Sequence, residues 1–167
     1  NSKRIDLTNK NSFMFKSWNY KSSPPLPIFQ IETLNNGDNK LWIHTNSIAE
    51  RIDFNDKNLL ECFKSNFETY ATSEKWINFL DEKLTEKSEF KIGHDNQAIS
   101  ICMTISQEAE VIDWSFYLTK VKCVSIIENK HLDALLTRKS KTRITSRILK
   151  PIKDYIDELD KIIELSE

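Results

Sequence analysis

Seven cations, Arg138, Lys139, Lys141, Arg143, Arg147, Lys150 and Lys153, fall within sixteen residues and are the strongest local charge feature of the chain. They precede Asp154, Asp157, Glu158, Asp160 and Glu164, so positive charge opens the terminal helical pattern and negative charge closes it. That order opposes the helix dipole, so helix stability does not account for it. A phosphate backbone would, and Arg138, Lys139, Lys141, Arg143 and Arg147 form a weak candidate DNA-binding set; the plainer alternative is a solvated linker. Other chemistry is hard to assemble. Two glycines, both at expected turns, leave no glycine-rich phosphate loop. His44, His94 and His131 fall in a strand, a turn and a helix, without zinc-ligand spacing. Cys62, Cys102 and Cys123 form no CxxC pair and read as buried thiols. No nucleophile or paired-carboxylate motif stands out, and the expectation is a non-enzymatic protein with no metal or cofactor.

The elements that would position these residues are readable from pattern. Phe13 to Tyr20 alternates like a strand, and Pro24, Pro25 and Pro27 then interrupt pairing. Ile28–Leu34 and Lys40–Thr45 flank Asn36-Gly37, a hairpin signature. Residues 55–86 read as an αα-hairpin, with Leu59, Leu60, Phe63, Phe67 and Tyr70 on one helix and Trp76, Ile77, Leu80 and Leu84 on the next. A second hairpin turns at Gly93, and Ile99, Ile101, Met103 and Ile105 form its expected core face. Val111 to Lys122 completes an antiparallel meander. The domain plan is a tail over 1–12, a β-sandwich head over 13–122, a connector over 123–144 and a C-terminal helix over 145–167.

In that last helix Leu149, Ile152, Ile156, Leu159 and Ile163 step by three and four, the seam of a coiled coil. A seam at the end of the chain needs cover, from the preceding domain or from a second copy, and a second copy is the expectation. With net charge −1, 29% charged residues and no apolar run of membrane-spanning length, the chain reads as soluble and intracellular, without a membrane partner.

This order of elements, with Asp113-Trp114-Ser115-Phe116 in the late strand and Ile148-Leu149-Lys150-Pro151-Ile152 opening the final helix, resembles the XLF (Cernunnos) and fungal Nej family of end-joining factors. Trp18 before the first hairpin and Phe79-Leu80-Asp81-Glu82-Lys83-Leu84 in the insert add to the likeness. The resemblance implies an α+β fold: an antiparallel β-sandwich or meander head with an inserted αα-hairpin, followed by a dimerising helix. It implies a nuclear homodimer acting as a scaffold in non-homologous end joining, whose head meets the head of the DNA ligase IV scaffold protein. Phe67, Tyr70, Glu110, Val111 and Ile112 would make that contact. The alternatives are an assembly module of the centriolar cartwheel type and an accessory DNA-binding domain.

Overall fold

The computed structural model describes residues 3–16, 25–50, 53, 55, 57, 70–71, 76–77, 82–137 and 143–165. The first four strands are β1 (Ile5–Asp6), β2 (Ser12–Lys16), β3 (Ile28–Thr33) and β4 (Asn39–Asn46). The expected β3–β4 hairpin forms in the register Ile28↔His44 to Thr33↔Asn39. Its turn closes through Gly37 N donating to Leu34 O at 3.0 Å and Leu34 N to Asp38 O at 2.8 Å. Gly37 has φ +89°, a conformation that side-chain-bearing residues rarely adopt, and an added Cβ would lie 2.5 Å from Gln107 Nε2. That Gln107 amide donates to Asn36 O, tying the turn to the next hairpin. Gly37→Ala is therefore expected to cost about 1–2 kcal/mol, read as a lower urea midpoint.

Two long strands complete the sheet, β7 (Asp95–Ile105) and β8 (Val111–Glu128). The sheet order is β1-β8-β2-β3-β4-β7, and β7 also pairs with β8, so five of the strands close into a ring. An odd ring cannot close by antiparallel pairs alone. The exception is β2–β8, which is parallel from Ser12↔Cys123 to Lys16↔Glu128, with an irregularity between Ser12 and Phe13. The head is thus a closed mixed barrel, not the expected antiparallel sandwich.

The barrel interior corrects a second expectation. On β7 the buried residues are Asn96, Ala98, Ser100 and Cys102, while Ile99 is exposed and Ile101 and Met103 are half-buried; only Ile105, past a register shift, is buried as expected. On β7 the lumen takes the small and polar alternates because Ile28, Trp42 and His44 of the neighbouring strands already fill much of it. His44 and Thr119 bracket Ser100 in it: His44 Nδ1 lies 2.7 Å from Ser100 Oγ, and Ser100 Oγ lies 2.6 Å from Thr119 Oγ1. Met14, Ile28, Phe90, Ala98, Val121 and Cys123 form the apolar end of the lumen.

The segment between β4 and β7 lies largely outside the described residues. Where described, it holds a 3-10 turn at Ile48–Glu50, a two-stranded ladder of β5 (Tyr70–Ala71) with β6 (Trp76–Ile77), and helix α1 (Glu82–Ser88). Trp76 and Ile77 are therefore in a strand, not in the second helix of an αα-hairpin. The first helix of that hairpin and Phe67 lie outside the described residues.

After β8 come α2 (Asn129–Leu136), α3 (Arg143–Leu149), a 3-10 turn (Lys150–Tyr155) and α4 (Ile156–Glu164). The single long helix of the sequence reading is interrupted at Pro151, whose missing N–H cannot continue the ladder. The seam residues face inward. Leu149, Ile152 and Leu159 are buried against Phe13, Ile127, Ala134 and Leu135, with Ile156 and Ile163 half-buried on the same cluster. The Phe13 and Tyr155 rings meet at 5.4 Å, Asn11 Nδ2 donates to Glu158 Oε1 at 2.8 Å and Lys161 Nζ to Thr33 Oγ1 at 2.7 Å. The apolar stripe is covered by the chain's own barrel, so among the described residues it forms no dimerising stalk: a three-four repeat requires a cover but does not say whose.

Candidate functional site

At the end of the barrel where β2 finishes, Met14, Leu26, Phe90, Ile92 and Ile126 line a pocket of 180 Å³, with Lys16 and Glu89 completing its wall. Each arrives there for a local reason. Lys16 is the last residue of β2, one step past the alternation that sends Met14 into the lumen. Phe90 and Ile92 are held by the turn before β7, where the buried Asn96 side chain accepts from Lys91 N at 2.9 Å and donates to Lys91 O and His94 O at 3.0 and 2.7 Å. Gly93 N donates to Cys123 O at 2.8 Å and pins the same turn to β8. Asn46 Nδ2 donates to Glu89 O at 3.0 Å from the end of β4.

On the other side of this segment, Glu86, Lys87, Lys91, Asp95 and Asn96 line an open groove of 480 Å³. Pocket and groove together offer an apolar recess for one ring system, an ammonium at its rim and further charges of both signs alongside. The pocket is smaller than the roughly 300–1,000 Å³ of sites for drug-sized ligands, so a single planar group is the better fit.

Several carboxylates are engaged locally. Asp6 accepts from Thr8, which lowers its pKa; Glu32 pairs with Lys10 at 3.4 Å, Asp95 with Lys120 at 2.6 Å, Glu50 with Arg4 and Glu128 with Lys130. Among the described residues no three of His, Cys, Asp and Glu come together as a metal-holding group. Burial pushes the Cys123 thiol up to about 11 and raises that of Cys102, which makes both poor nucleophiles. His44 is fully buried, and desolvation holds it down at about 4. His131 is a capping residue: Glu128 N donates to its Nδ1 at 3.1 Å, and burial, then the nearby Lys130, lowers its pKa.

The residues singled out from sequence do not converge here. Val111 and Ile112 are exposed beside exposed Glu110 on the far hairpin. Tyr70 sits in the β5–β6 ladder. Arg143 and Arg147 are in α3, Arg147 exposed, while Arg138, Lys139 and Lys141 lie outside the described residues. Sequence reasoning missed Lys16 and Phe90. The available signal was a cation directly after an apolar alternation, and nothing in the sequence paired it with Phe90.

The architecture is a closed barrel with a recess at its end and a helical layer on its side. A profile of the RNB domain matches residues 4–167, and the chain belongs to the RNB-domain family, which has the fold of the RNase II and RNase R group. No curated protein matches the chain. Among solved structures it is similar to Mycoplasma genitalium RNase R in complex with ribose-methylated single-stranded RNA, with TM-score 0.69 and 14% identity over 88% of this chain and 23% of that one. Yeast Ssd1, a pseudonuclease, gives TM-score 0.66 and 16% identity over 88% of this chain and 18% of that one. An active-site mutant of the Dss1 exoribonuclease from Candida glabrata gives 0.64 and 16%, over 89% and 22%. The chain thus spans less than a quarter of the length of these proteins, and at such identities the likeness is one of fold.

These findings overturn the resemblance to end-joining factors. With it go the DNA-repair scaffold role and its cartwheel and DNA-binding alternatives, the homodimer and the ligase IV scaffold partner. The matches that suggested them, such as Asp113-Trp114-Ser115-Phe116 and the Pro151 heptad, are short alternating or amphipathic runs that many β-plus-helix chains can contain.

Proposed function

We propose that this chain is a single-stranded-RNA-binding module that does not itself cleave RNA. The RNB match over residues 4–167 carries the reading. The barrel-end pocket takes one base on the apolar wall made by Met14, Phe90 and Ile126, while Lys16 and Lys91 face the adjoining phosphates. The RNase R structure bound to single-stranded RNA supports binding as the relevant activity. The similarity in fold to a solved structure described as a pseudonuclease supports a role without cleavage.

With two phosphate contacts and a net charge of −1, salt dependence is shallow, a log–log slope of about −1.4 for single strands. The test is fluorescence anisotropy with an end-labelled 12-nucleotide RNA, run with and without added divalent cation and followed by gel analysis. Saturable binding with intact RNA is expected, and Lys16→Ala should weaken it and reduce the slope by about 0.7. Shortened RNA would replace the binding reading with an enzymatic one; absence of saturable binding would reject both.

A further inference from the structure

β8 has two neighbours along only part of its length. It pairs with β7 from Val111 to Lys122, but β1 meets it at Thr119 and Lys120 and β2 only from Cys123 onward. Residues 111–118 therefore have a strand on one side and, among the described residues, none on the other. Both faces of this stretch are open. Trp114 is 55% and Phe116 67% exposed, with Val111, Ile112 and Tyr117 also exposed.

Natural edge strands are usually blunted by lysine, proline or a bulge, since an open ladder of N–H and C=O groups recruits other chains. This one contains no lysine, proline or glycine, its only charge is Asp113, and its one irregularity, the register shift at Ile112, leaves residues 113–118 regular. Trp114 and Phe116 continue an apolar outer face through their β7 partners Met103 and Ile101 and the β4 residues beyond, Leu41 and Ile43.

We infer that residues 111–118 accept an added β-strand from a protein partner: an extended segment, apolar at alternate positions and basic where it passes Asp113. The charge pattern selects this occupant. Residues 106–119 contain no Lys or Arg but carry Glu108, Glu110 and Asp113, and none of these carboxylates is ion-paired in the structure. Phosphates would be repelled here, so this edge is separate from the RNA site. A second copy would bring the same three negative charges, whereas a lysine-bearing strand neutralises them. Ladder hydrogen bonds supply the affinity and alternate side chains on Trp114 and Phe116 the specificity.

The probe is a capped ten-residue peptide alternating valine with lysine and threonine, titrated into the 167-residue chain and followed by amide NMR and hydrogen exchange. Exchange at residues 111–118 is expected to slow at least tenfold. A twin peptide N-methylated at alternate amides keeps the side chains but loses the ladder donors, and should bind at least tenfold more weakly. A variant carrying Trp114→Lys and Phe116→Lys should lose binding similarly with unchanged barrel signals; if it does not fold, the twin-peptide comparison on the unmodified chain decides. Equal binding of the twin peptides, protection elsewhere, self-association through residues 111–118, or shifts of these amides by the RNA 12-mer would each overturn the inference.

Discussion

Ile152→Ala is expected to destabilise the protein by about 3–4 kcal/mol, within the ~2–5 range for truncating a buried isoleucine. Ile152 is 0% exposed and packs in the cluster of Phe13, Ile127, Leu135 and Leu159, where the helical layer joins the barrel. The surroundings cannot readily collapse into the space, because β2 and β8 on one side are held by their ladder. Urea unfolding by circular dichroism measures the effect. Its midpoint should not change with protein concentration, since the cover for this side chain is intramolecular. A concentration-dependent midpoint, with Ile152→Ala shifting the monomer–dimer balance and leaving monomer stability unchanged, would show that the stripe joins two chains after all.

The second large effect is an acid weakness centred on His44. Burial lowers its pKa from the ordinary 6.5 to about 4, and its lumen neighbours Ser100, Thr119, Trp42 and Ile28 carry no charge that would restore it. The native imidazole therefore stays neutral where the unfolded one protonates. Below about pH 6.5 the unfolded chain takes up a proton that the native chain refuses until about 4. The contribution of neutral His44 is complete above that window and is lost as pH falls through it, by up to about 3 kcal/mol in all. His44→Gln is expected to be less stable at neutral pH, because it disturbs the contact to Ser100, yet to lose less stability between pH 6.5 and 4 than the parent. Equal slopes in urea titrations at several pH values would mean that His44 is not the group responsible.

Local chemistry was legible in the sequence. Asn36-Gly37 announced its hairpin because positive φ is a property of one residue. Relations between distant segments were not legible. The period-two pattern of β7 was correct, but its facing was inverted, because apolarity alone was used to decide which face is inside and a narrow lumen selects for size as well. The parallel meeting of β2 with β8 has no local signature, so closure of the barrel was invisible, and with it the recess that unites Lys16 with Phe90. The terminal stripe was identified residue by residue. Its partner was misassigned because Pro151 was read within a continuous stalk instead of as the point where one helix ends and the stripe turns back over Phe13.

The parallel closing pair also orders events in time. Ser12 finds its ladder partner only at Cys123, so β2 can pair with β3 soon after synthesis, but its other edge waits until β8 has been made. The β3–β4 and β7–β8 hairpins, whose partners are neighbours in sequence, can form in the interval, and such non-local closure is the slow step in folds of this kind. Until then the helical layer has no platform, since Phe13 and Ile127 are brought together by that same closure. Among the described strands, the last one synthesised is thus the one that turns an open sheet into a barrel with a pocket at its end.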